Sequence, residues 1–490
     1  MLLVASPAAM HASDLKLANV FSDHMVLQRE KPVRVWGWDT PGTKVTVEFD
    51  GQTQDATADK TGRWEAKLDP MDANARSQTL TVREANGKAH VSVGDVLIGE
   101  VWLGSGQSNM EFMLKGARNA DKDIPAANFP TIREFDEKSD AALTPQPDSK
   151  GVWMVCSPQT AGGFGAVMFY FAVDIQKALG GVPVGILRSA VGSTPIEAWI
   201  DADAMAKIPE LKAAQDAAVK TRAAETGPLN TSEQRTGKAE GGGLFDAKIY
   251  PLIPYAMRGM IWYQGENNTN ATDTAQRYAT LLPLLVKDWR ERWHDDFAAA
   301  WVQLPNFVRP GDGWSLVREA ELKSLSVPHT GMAITIDIGQ SDLIHPKDKD
   351  DVGMRLAWWA LGDVYGMKVP ATSGPLPDKH EVKGAAMEIS FSHANGGLVA
   401  KGGDLTGFVI AGDDKVWHPA IAKIDGDKVM VSSPDVPKPV AVRYAWDSNP
   451  TCNLFNGVGL PASPFRTDDW PVPYFNVRQR NNHETGAAFK

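Results

Sequence analysis

The stretch VLIGEVWLGSGQSNM, residues 96–110, joins an apolar strand to a turn of small residues. Ser108 stands between a glutamine and an asparagine, directly behind Gly104, Ser105 and Gly106. Small residues let the chain turn sharply and bring backbone N–H groups close to a ligand, and a helix beginning there points its positive end at the serine. A serine nucleophile requires such a turn, with N–H groups and a helix N-terminus close to it. An ordinary Gly-Ser turn or helix cap fits the same residues.

Two familiar glycine motifs are excluded at this position. The G-x-S-x-G elbow requires glycine where the chain has Met110, and GSGQSN lacks the last glycine of G-x-G-x-x-G.

Strands and helices alternate in the chain that follows this motif. The predicted strands cover residues 96–103, 182–190, 256–265, 298–304 and 332–339, and the predicted helices cover 164–180, 277–293 and 350–365. Such alternation indicates a parallel sheet with helices on both faces. We therefore expect residues 94–370 to form one α/β domain, with the polar, Ala- and Gly-rich residues 202–243 as an excursion.

Short alternating strands separated by turn residues flank this domain on both sides. VRVWGW, KVTVEF and RWEAKL predict a small β-sandwich over residues 13–93, and AAMEISF, LTGFVIAG, KVMVSS and VAVRYAW predict a second β module over 371–447. Residues 448–490, rich in Pro and Asn, are expected to pack on the other domains as irregular chain.

Three further loops carry polar residues just after predicted strands, where ligands bind in open α/β sheets. WYQGENN (262–268) places the amide of Asn267 at a strand end, where it can donate to an oxyanion. ILRSAVGSTPIEAW (186–199) places the N–H of Gly192 in a small-residue loop. Taken singly, Asn267 could equally be a turn-capping asparagine and Gly192 an ordinary turn glycine.

The last loop is IDIGQSDLIHP (336–346), in which Asp342 precedes His345 by three residues. At that spacing a carboxylate can hold one imidazole nitrogen and leave the other to take a proton from a serine. Pro346 restricts His345 to extended conformations. An exposed Asp-His pair at a helix entry is the alternative. Together, the four loops supply a nucleophile, a base, a base-orienting acid and oxyanion donors, which are the requirements of serine ester hydrolysis.

Composition excludes several other classes of protein. The 490 residues carry a net charge of -10 with scattered Lys and Arg, so neither nucleic acid nor an anionic membrane is an expected partner. Residues 1–12 read as the remnant of a signal peptide, which predicts an exported protein. Cys156 and Cys452 are the only cysteines and form no disulfide framework or zinc cluster. The 16 tryptophans either stack on sugar rings or fill cores.

The order GQS, Gly, GEN, DLIH resembles the four blocks of the SGNH hydrolases. FSDHMVLQREKPVRVWGW, VWLGSGQSNMEF, STPIEAW, WYQGENN, IHPKDK and GLPASPFRTD are similar to segments of the sialate O-acetylesterase-like family, from residue 21 to 468. The resemblance implies a flavodoxin-like α/β/α catalytic domain with β modules. It also implies removal of acetyl groups from sugars without a cofactor or metal.

The resemblance assigns catalytic roles to matching residues. Ser108 becomes the nucleophile and His345 the base, and the oxyanion hole consists of the N–H groups of Ser108 and Gly192 with the side chain of Asn267. The family's WGGT is VGST at 191–194 here, which leaves the glycine donor open. In many relatives the acid stands two residues before the histidine, whereas Asp342 stands three before it, as in the wider SGNH pattern. Asp337 is the competitor for the orienting role.

Five further residues fall in family segments. Gln107, Gln264 and Glu266 are expected to support the site or contact substrate. Arg318 and Glu319 either line the pocket or form a helix ion pair.

The sequence thus predicts a serine carbohydrate O-acetylesterase, periplasmic or secreted by a bacterium and monomeric, acting on plant hemicellulose such as xyloglucan or xylan. A sialate O-acetylesterase is the alternative within the class. Two alternatives belong to other functional classes: a glycoside hydrolase that uses Glu111 and Glu266, and a carbohydrate-binding protein without activity.

Overall fold

The computed structural model of the protein describes residues 15–224, 236 and 240–477, so the predicted signal-peptide remnant lies outside the described residues. Among the helices described, none is long and apolar enough to cross a bilayer. The predicted strands VRVWGW, KVTVEF and RWEAKL are confirmed as β3, β4 and β6. The strands up to the catalytic motif are β1 (Lys16–Leu17), β2 (Val26–Gln28), β3 (Val33–Trp38), β4 (Lys44–Phe49), β5 (Gln52–Thr57), β6 (Arg63–Leu68), β7 (Asn74–Glu84) and β8 (His90–Gly106).

Strand β8 is 17 residues long and belongs to two parts of the molecule. Its first part pairs antiparallel with β7, where Val93 lies opposite Leu80, and parallel with β2. Its second part lies in the catalytic sheet. The predicted domain boundary between residues 93 and 94 therefore falls inside an unbroken strand, and the N-terminal β module is joined to the catalytic sheet without a linker.

The catalytic sheet has the strand order β10-β9-β11-β8-β12-β13-β14, and only β10 runs antiparallel to its neighbour. Counted from β8, the five strands β11-β8-β12-β13-β14 follow the flavodoxin-like order 2-1-3-4-5, whose ligands bind beside the first strand. The predicted α/β class is confirmed. The strands after β8 are β9 (Phe129–Glu137), β10 (Gly151–Cys156), β11 (Val184–Ala190), β12 (Gly259–Tyr263), β13 (Ala298–Val302) and β14 (Thr330–Ala333).

Two strands of this sheet were not predicted, and one is shorter than expected. β9 carries charged residues that hide its apolar pattern, and Glu134 is buried there in an ion pair with Arg188, at 2.8 Å. The strand expected over 332–339 ends at Ala333, because the chain turns and the N–H of Ile338 donates to the carbonyl of Thr335.

The helices lie on both faces of the sheet, as the tryptophans show. Trp102 in β8 contacts Phe171 and Trp359 on one face. Trp262 in β12 lies beside Ser105 of β8, three positions along from Trp102, and therefore faces the other side, against Trp289. The helices are α1 (Ser108–Glu111), α2 (Ala120–Ala126), α3 (Ala166–Ala178), α4 (Ala202–Ala206), α5 (Pro209–Ala224), α6 (Thr272–Trp293), α7 (Gly313–Lys323) and α8 (Asp350–Trp359).

Tryptophan fills cores here: eight of the sixteen are among the largest fully buried side chains. The excursion predicted at 202–243 contains α4 and α5 where it is described.

The C-terminal β module has its own buried core, which includes Phe391, Ile410 and Tyr444. The segment predicted as irregular from residue 448 contributes two short strands, since β23 pairs with β17 and β24 pairs with β22. The strands of the module are β15 (Leu376–Lys383), β16 (Ala386–Ser392), β17 (Leu398–Ala400), β18 (Phe408–Ala411), β19 (Trp417–Pro419), β20 (Ile421–Asp425), β21 (Lys428–Ser432), β22 (Ala441–Tyr444), β23 (Leu454–Asn456) and β24 (Phe465–Arg466).

Candidate active site

Ser108 and His345 meet at the carboxyl end of the sheet although 237 residues separate them. Ser108 is the first residue of α1, directly after β8, and His345 lies in the loop between β14 and α8. The hydroxyl Oγ and the imidazole Nε2 are 2.8 Å apart, which is hydrogen-bond distance for proton transfer. The two residues predicted as nucleophile and base are therefore in contact.

The turn before Ser108 depends on glycine. Gly106 has φ +134°, and a Cβ there would lie 2.1 Å from the carbonyl oxygen of Tyr263 in β12. The N–H of Gln107 donates to the same oxygen at 2.9 Å. This close approach to the neighbouring strand places Ser108 at the start of α1, where the first N–H groups have no intrahelical acceptor.

Asn267 lies on the 3₁₀ turn Glu266–Asn270 that follows β12, in contact with Gln107, the residue before Ser108. Its Nδ2 donates to the carbonyl of Ser193 at 2.9 Å, which leaves the second amide N–H for an oxyanion. Its backbone N–H donates to the side-chain oxygen of Gln107 at 3.2 Å. Gln264 in turn donates to Gln107, at 3.1 Å. Both glutamines are buried, and their hydrogen bonds hold the backbone of Asn267 in place.

The predicted donor Gly192 has a different partner in this structure. Its N–H donates to Oε2 of Glu111 at 2.8 Å, because Glu111 stands in the first turn of α1 and reaches across to the loop after β11. The expectation that this N–H points at the oxyanion is therefore not met in this structure. The N–H of Ser108 and the side chain of Asn267 are the predicted donors that stay as candidates.

Neither candidate acid contacts His345. Asp342 is exposed in the turn closed by the N–H of Leu343 and the carbonyl of Gln340, and within the described chain no hydrogen bond joins it to the imidazole. Asp337 is occupied by both terminal nitrogens of Arg355, at 2.7 and 2.8 Å. The predicted contact of Asp342 with His345 is thus absent, because a turn directs the side chain to solvent.

We expect Asp342→Asn to retain kcat within about threefold, because the side chain makes no contact with the imidazole. Loss of an orienting aspartate in a serine triad instead lowers kcat by roughly 10⁴-fold. Acetate release measured at saturating substrate separates the two results. A loss above a hundredfold would restore Asp342 to the catalytic group.

The electrostatics of the site favour a neutral histidine. Burial and the nearby charge of Lys349 hold the pKa of His345 below its usual value of 6.5, and Glu111 opposes them. A neutral imidazole has a free lone pair on Nε2, so His345 can accept the hydroxyl proton of Ser108 at neutral pH.

Glu266 does not face a sugar in the way a glycosidase carboxylate must. It is 3% exposed, and its Oε1 accepts a hydrogen bond from Asn109 at 2.6 Å. Burial raises its pKa. With Glu111 bonded to Gly192, neither carboxylate of the alternative glycosidase pair is placed for glycosidic chemistry.

Arg318 and Glu319 belong to the contact between α7 and the C-terminal β module. Arg318 is fully buried and donates to the carbonyls of Leu304, Pro305, Asp447 and Ser448. Glu319 pairs with Arg466 through both oxygens, at 3.0 and 2.9 Å. No ion pair joins Arg318 to Glu319 among the described residues, because Arg318 binds backbone carbonyls and the helix partner of Glu319 is Lys323, at 2.7 Å.

Three residues near the site escaped prediction. Asn109 and Lys349 are buried behind the Ser108–His345 pair, and Arg309 is half-buried beside the Asn267 turn. Lys349 lies in IHPKDK and Asn109 in GQSNM, so the motifs contained both. Nothing in the sequence distinguished these polar residues from solvent-exposed ones.

One group of three carboxylates in the described residues has the spacing to hold a cation: Asp348, Asp350 and Asp351. The guanidinium of Arg118 pairs with all three, at 2.7 Å from Asp350 and 3.3 Å from Asp351. Arg118 thus supplies the positive charge that this cluster requires.

Comparison with known proteins gives one consistent result. The family described as "Carbohydrate esterase, sialic acid-specific acetylesterase" matches residues 245–360, which include Asn267 and His345. A carbohydrate acetylesterase of known structure from Xanthomonas citri is 36% identical and covers 93% of this chain and 100% of its own, with a TM-score of 0.82. Sialate O-acetylesterases are 28% identical, over 95% of this chain and 96% of the Rattus norvegicus protein, and 94% and 95% for Homo sapiens.

Proposed function

The chain belongs to the sialate O-acetylesterase-like family of carbohydrate esterases, and we propose that it cleaves sugar acetates with Ser108 as nucleophile and His345 as general base. The observation that carries this assignment is the 2.8 Å contact between the two side chains at the carboxyl end of the sheet. Acetyl-ester hydrolysis needs a nucleophile, a proton carrier and oxyanion donors, and the proposal gives these roles to Ser108, to His345, and to the Ser108 N–H with the Asn267 amide.

In the proposed first half-reaction, Nε2 of His345 takes the hydroxyl proton as Oγ of Ser108 forms a bond to the acetyl carbonyl carbon. The Ser108 N–H and the free amide N–H of Asn267 hold the resulting oxyanion. Collapse breaks the bond to the sugar oxygen, which receives the proton from His345 and leaves as a hydroxyl group. In the second half, water gives a proton to Nε2 of His345 and attacks the acetyl carbonyl carbon. The bond from that carbon to Oγ of Ser108 then breaks, His345 returns the proton to Oγ, and acetate leaves.

For the substrate, we propose acetylated plant hemicellulose; one comparison supports a carbohydrate other than sialic acid. Identity is higher to the bacterial carbohydrate acetylesterase, at 36%, than to the mammalian sialate O-acetylesterases, at 28%. Acetate release from acetylated xyloglucan, acetylated xylan and O-acetylated sialic acid, compared as kcat/KM, tests it. A tenfold or greater preference for either polysaccharide is the expected result, and a preference for sialic acid would overturn the proposal.

A sialate substrate remains the second candidate because of Arg309. Its guanidinium donates to Asn270, whose amide donates to the carbonyl of Asn267 at 2.7 Å. Burial lowers the pKa of Arg309, and in the part of the chain that is described no carboxylate pairs with it. Its Nε has no hydrogen-bond partner there. A half-buried cation without a counter-ion, next to the oxyanion turn, suits a sugar that brings its own carboxylate.

If Arg309 binds a substrate carboxylate, Arg309→Met lowers kcat/KM for O-acetylated sialic acid roughly 10- to 100-fold, the value of a hydrogen bond to a charged group. For acetylated xylan, which offers fewer carboxylates, the loss is expected to be several times smaller. Arg76→Met, at an exposed position of β7, is the control for lost positive charge. Equal losses on both substrates would remove the support for the second candidate.

The apolar start of the chain supports a further proposal, export to the periplasm or medium. Fractionation of the producing cell tests it, and recovery of the esterase in the cytoplasm alone would contradict it.

A further inference from the structure

Asn109, the residue after Ser108, connects three separate segments of the active site. Its side chain is fully buried. Nδ2 donates to Oε1 of Glu266 at 2.6 Å and to the carbonyl of Ile344 at 3.0 Å, and Oδ1 accepts from the amino group of Lys349. Both amide hydrogens and the amide oxygen are therefore in use.

Each of these partners is next to, or one turn from, a residue of the proposed reaction. Glu266 precedes the oxyanion donor Asn267, and Ile344 precedes His345. Lys349, four residues after His345, directly precedes α8. One amide thus fixes the nucleophile segment against the segments that carry the donor and the base.

The orientation of the Asn109 amide follows from its partners. A lysine amino group only donates, and a carboxylate or carbonyl oxygen only accepts, so Oδ1 must face Lys349 and Nδ2 must face Glu266 and Ile344. The amino group of Lys349 also lies 5.1 Å from the ring centre of Phe112 and 5.0 Å from that of Tyr263. The aromatic rings and the amide enclose the lysine, which has no exposed surface.

His345 has no carboxylate to orient it among the described residues, since Asp342 points to solvent and Asp337 binds Arg355. We propose that Asn109, held between Glu266 and Lys349, positions His345 and Asn267 around Ser108 and so replaces the orienting acid of a serine triad. This inference rests on the proposed function, because it takes Ser108 as the nucleophile. Asn109, Glu266 and Lys349 are positioning residues, and none touches the reacting atoms.

The charged groups around Asn109 make the proposal testable through the pH dependence of activity. Lys349 and Glu111 are the charged groups that act on His345, and Glu266 and Asp348 act on Lys349. Burial lowers the pKa of Lys349 to about 7, and Glu266 and Asp348 oppose this shift. The ammonium form disfavours protonation of His345. Removing it raises the pKa of His345, so that the acid limb of the activity profile moves to higher pH.

The test measures how fast a fluorophosphonate labels Ser108, followed by intact mass, because this rate reports the nucleophile without a known sugar substrate. Asn109→Ala should label roughly 100-fold more slowly than the wild type, the cost of a misplacement of about 1 Å. Glu266→Ala should lose a similar factor. Glu266→Gln should lose far less, since glutamine keeps an acceptor for Asn109. Lys349→Met should shift the acid limb of the labelling rate upwards.

A matched control separates positioning from loss of stability. Asn456 is as buried as Asn109 and also makes three hydrogen bonds, but within the C-terminal β module. Asn456→Ala should lower the melting temperature and leave the labelling rate of folded molecules unchanged. Asn109→Ala labelled as fast as the wild type, or Lys349→Met with an unmoved acid limb, would overturn the positioning role alone. A wild type that never reacts would overturn the proposed function.

Discussion

Replacing Ser108 with alanine is expected to lower kcat for acetate release by roughly 10⁵- to 10⁶-fold, as loss of the nucleophile does in serine hydrolases. The hydroxyl group removed is the one that lies 2.8 Å from Nε2 of His345. The fold should not change, because Ser108 is partly exposed and, among the described residues, its hydroxyl has that imidazole as its only side-chain partner. Acetate release by the variant and a melting curve measure both effects.

Ser105→Ala is the matched control, three residues earlier in the same motif. Ser105 is fully buried, and its hydroxyl has no hydrogen-bond partner in the described residues, so alanine removes an unsatisfied polar group. Its activity should stay near that of the wild type. A double variant, Ser108→Ala with His345→Ala, should lose no more than Ser108→Ala alone, because nucleophile and base act as a unit. Substantial release by Ser108→Ala would show that the chemistry has another centre.

The parts of the site that follow from local chain were predictable. Ser108 and His345 each lie in the segment that follows a parallel strand, and such segments begin at the same edge of a sheet whatever the rest of the fold. The apolar strand before Ser108 and the order of the four motifs therefore sufficed. The same reasoning brought Asn267 to this edge, where it contacts Gln107, the neighbour of Ser108.

The direction of a side chain or an N–H group within a loop was not predictable in this way. A spacing of three residues suits Asp342 to His345, yet the turn between Gln340 and Leu343 points the carboxylate to solvent. The N–H of Gly192 was predicted to be an oxyanion donor because it follows a strand. In the structure it donates instead to the carboxylate of Glu111, which comes from another segment. Both outcomes depend on backbone torsions and tertiary partners that motif spacing does not contain.

The sequence also did not predict which polar residues are buried. Asn109 and Lys349 are 240 positions apart, and a charged lysine is expected at the surface. Only the folded structure shows that an amide, a carboxylate and aromatic rings surround it. The same holds for Arg318, whose four carbonyl partners include two in the C-terminal module.

Gly106→Ala should have the largest effect on both fold and activity among substitutions in the turn. At φ +134° an L-residue is strained, at roughly 1–3 kcal/mol. The new Cβ would also lie 2.1 Å from the carbonyl oxygen of Tyr263, a backbone atom in a buried strand that cannot move away, which adds roughly 1–3 kcal/mol of overpacking. A loss of about 2–6 kcal/mol is a large part of the 5–15 kcal/mol by which proteins are usually stable.

Gly104→Ala tests whether the loss of stability depends on the new Cβ meeting a backbone atom or a flexible side chain. A Cβ at Gly104 would lie 2.0 Å from Sδ of Met168, but a methionine side chain is flexible and can turn aside. We therefore expect at most about 1–2 kcal/mol of lost stability and near-normal labelling of Ser108 by a phosphonate. Urea unfolding and the labelling rate of both variants measure the difference. Equal losses would mean that the close approach of Gly106 to Tyr263 does not place the nucleophile. A much greater loss in Gly106→Ala would assign that role to one backbone contact between β8 and β12.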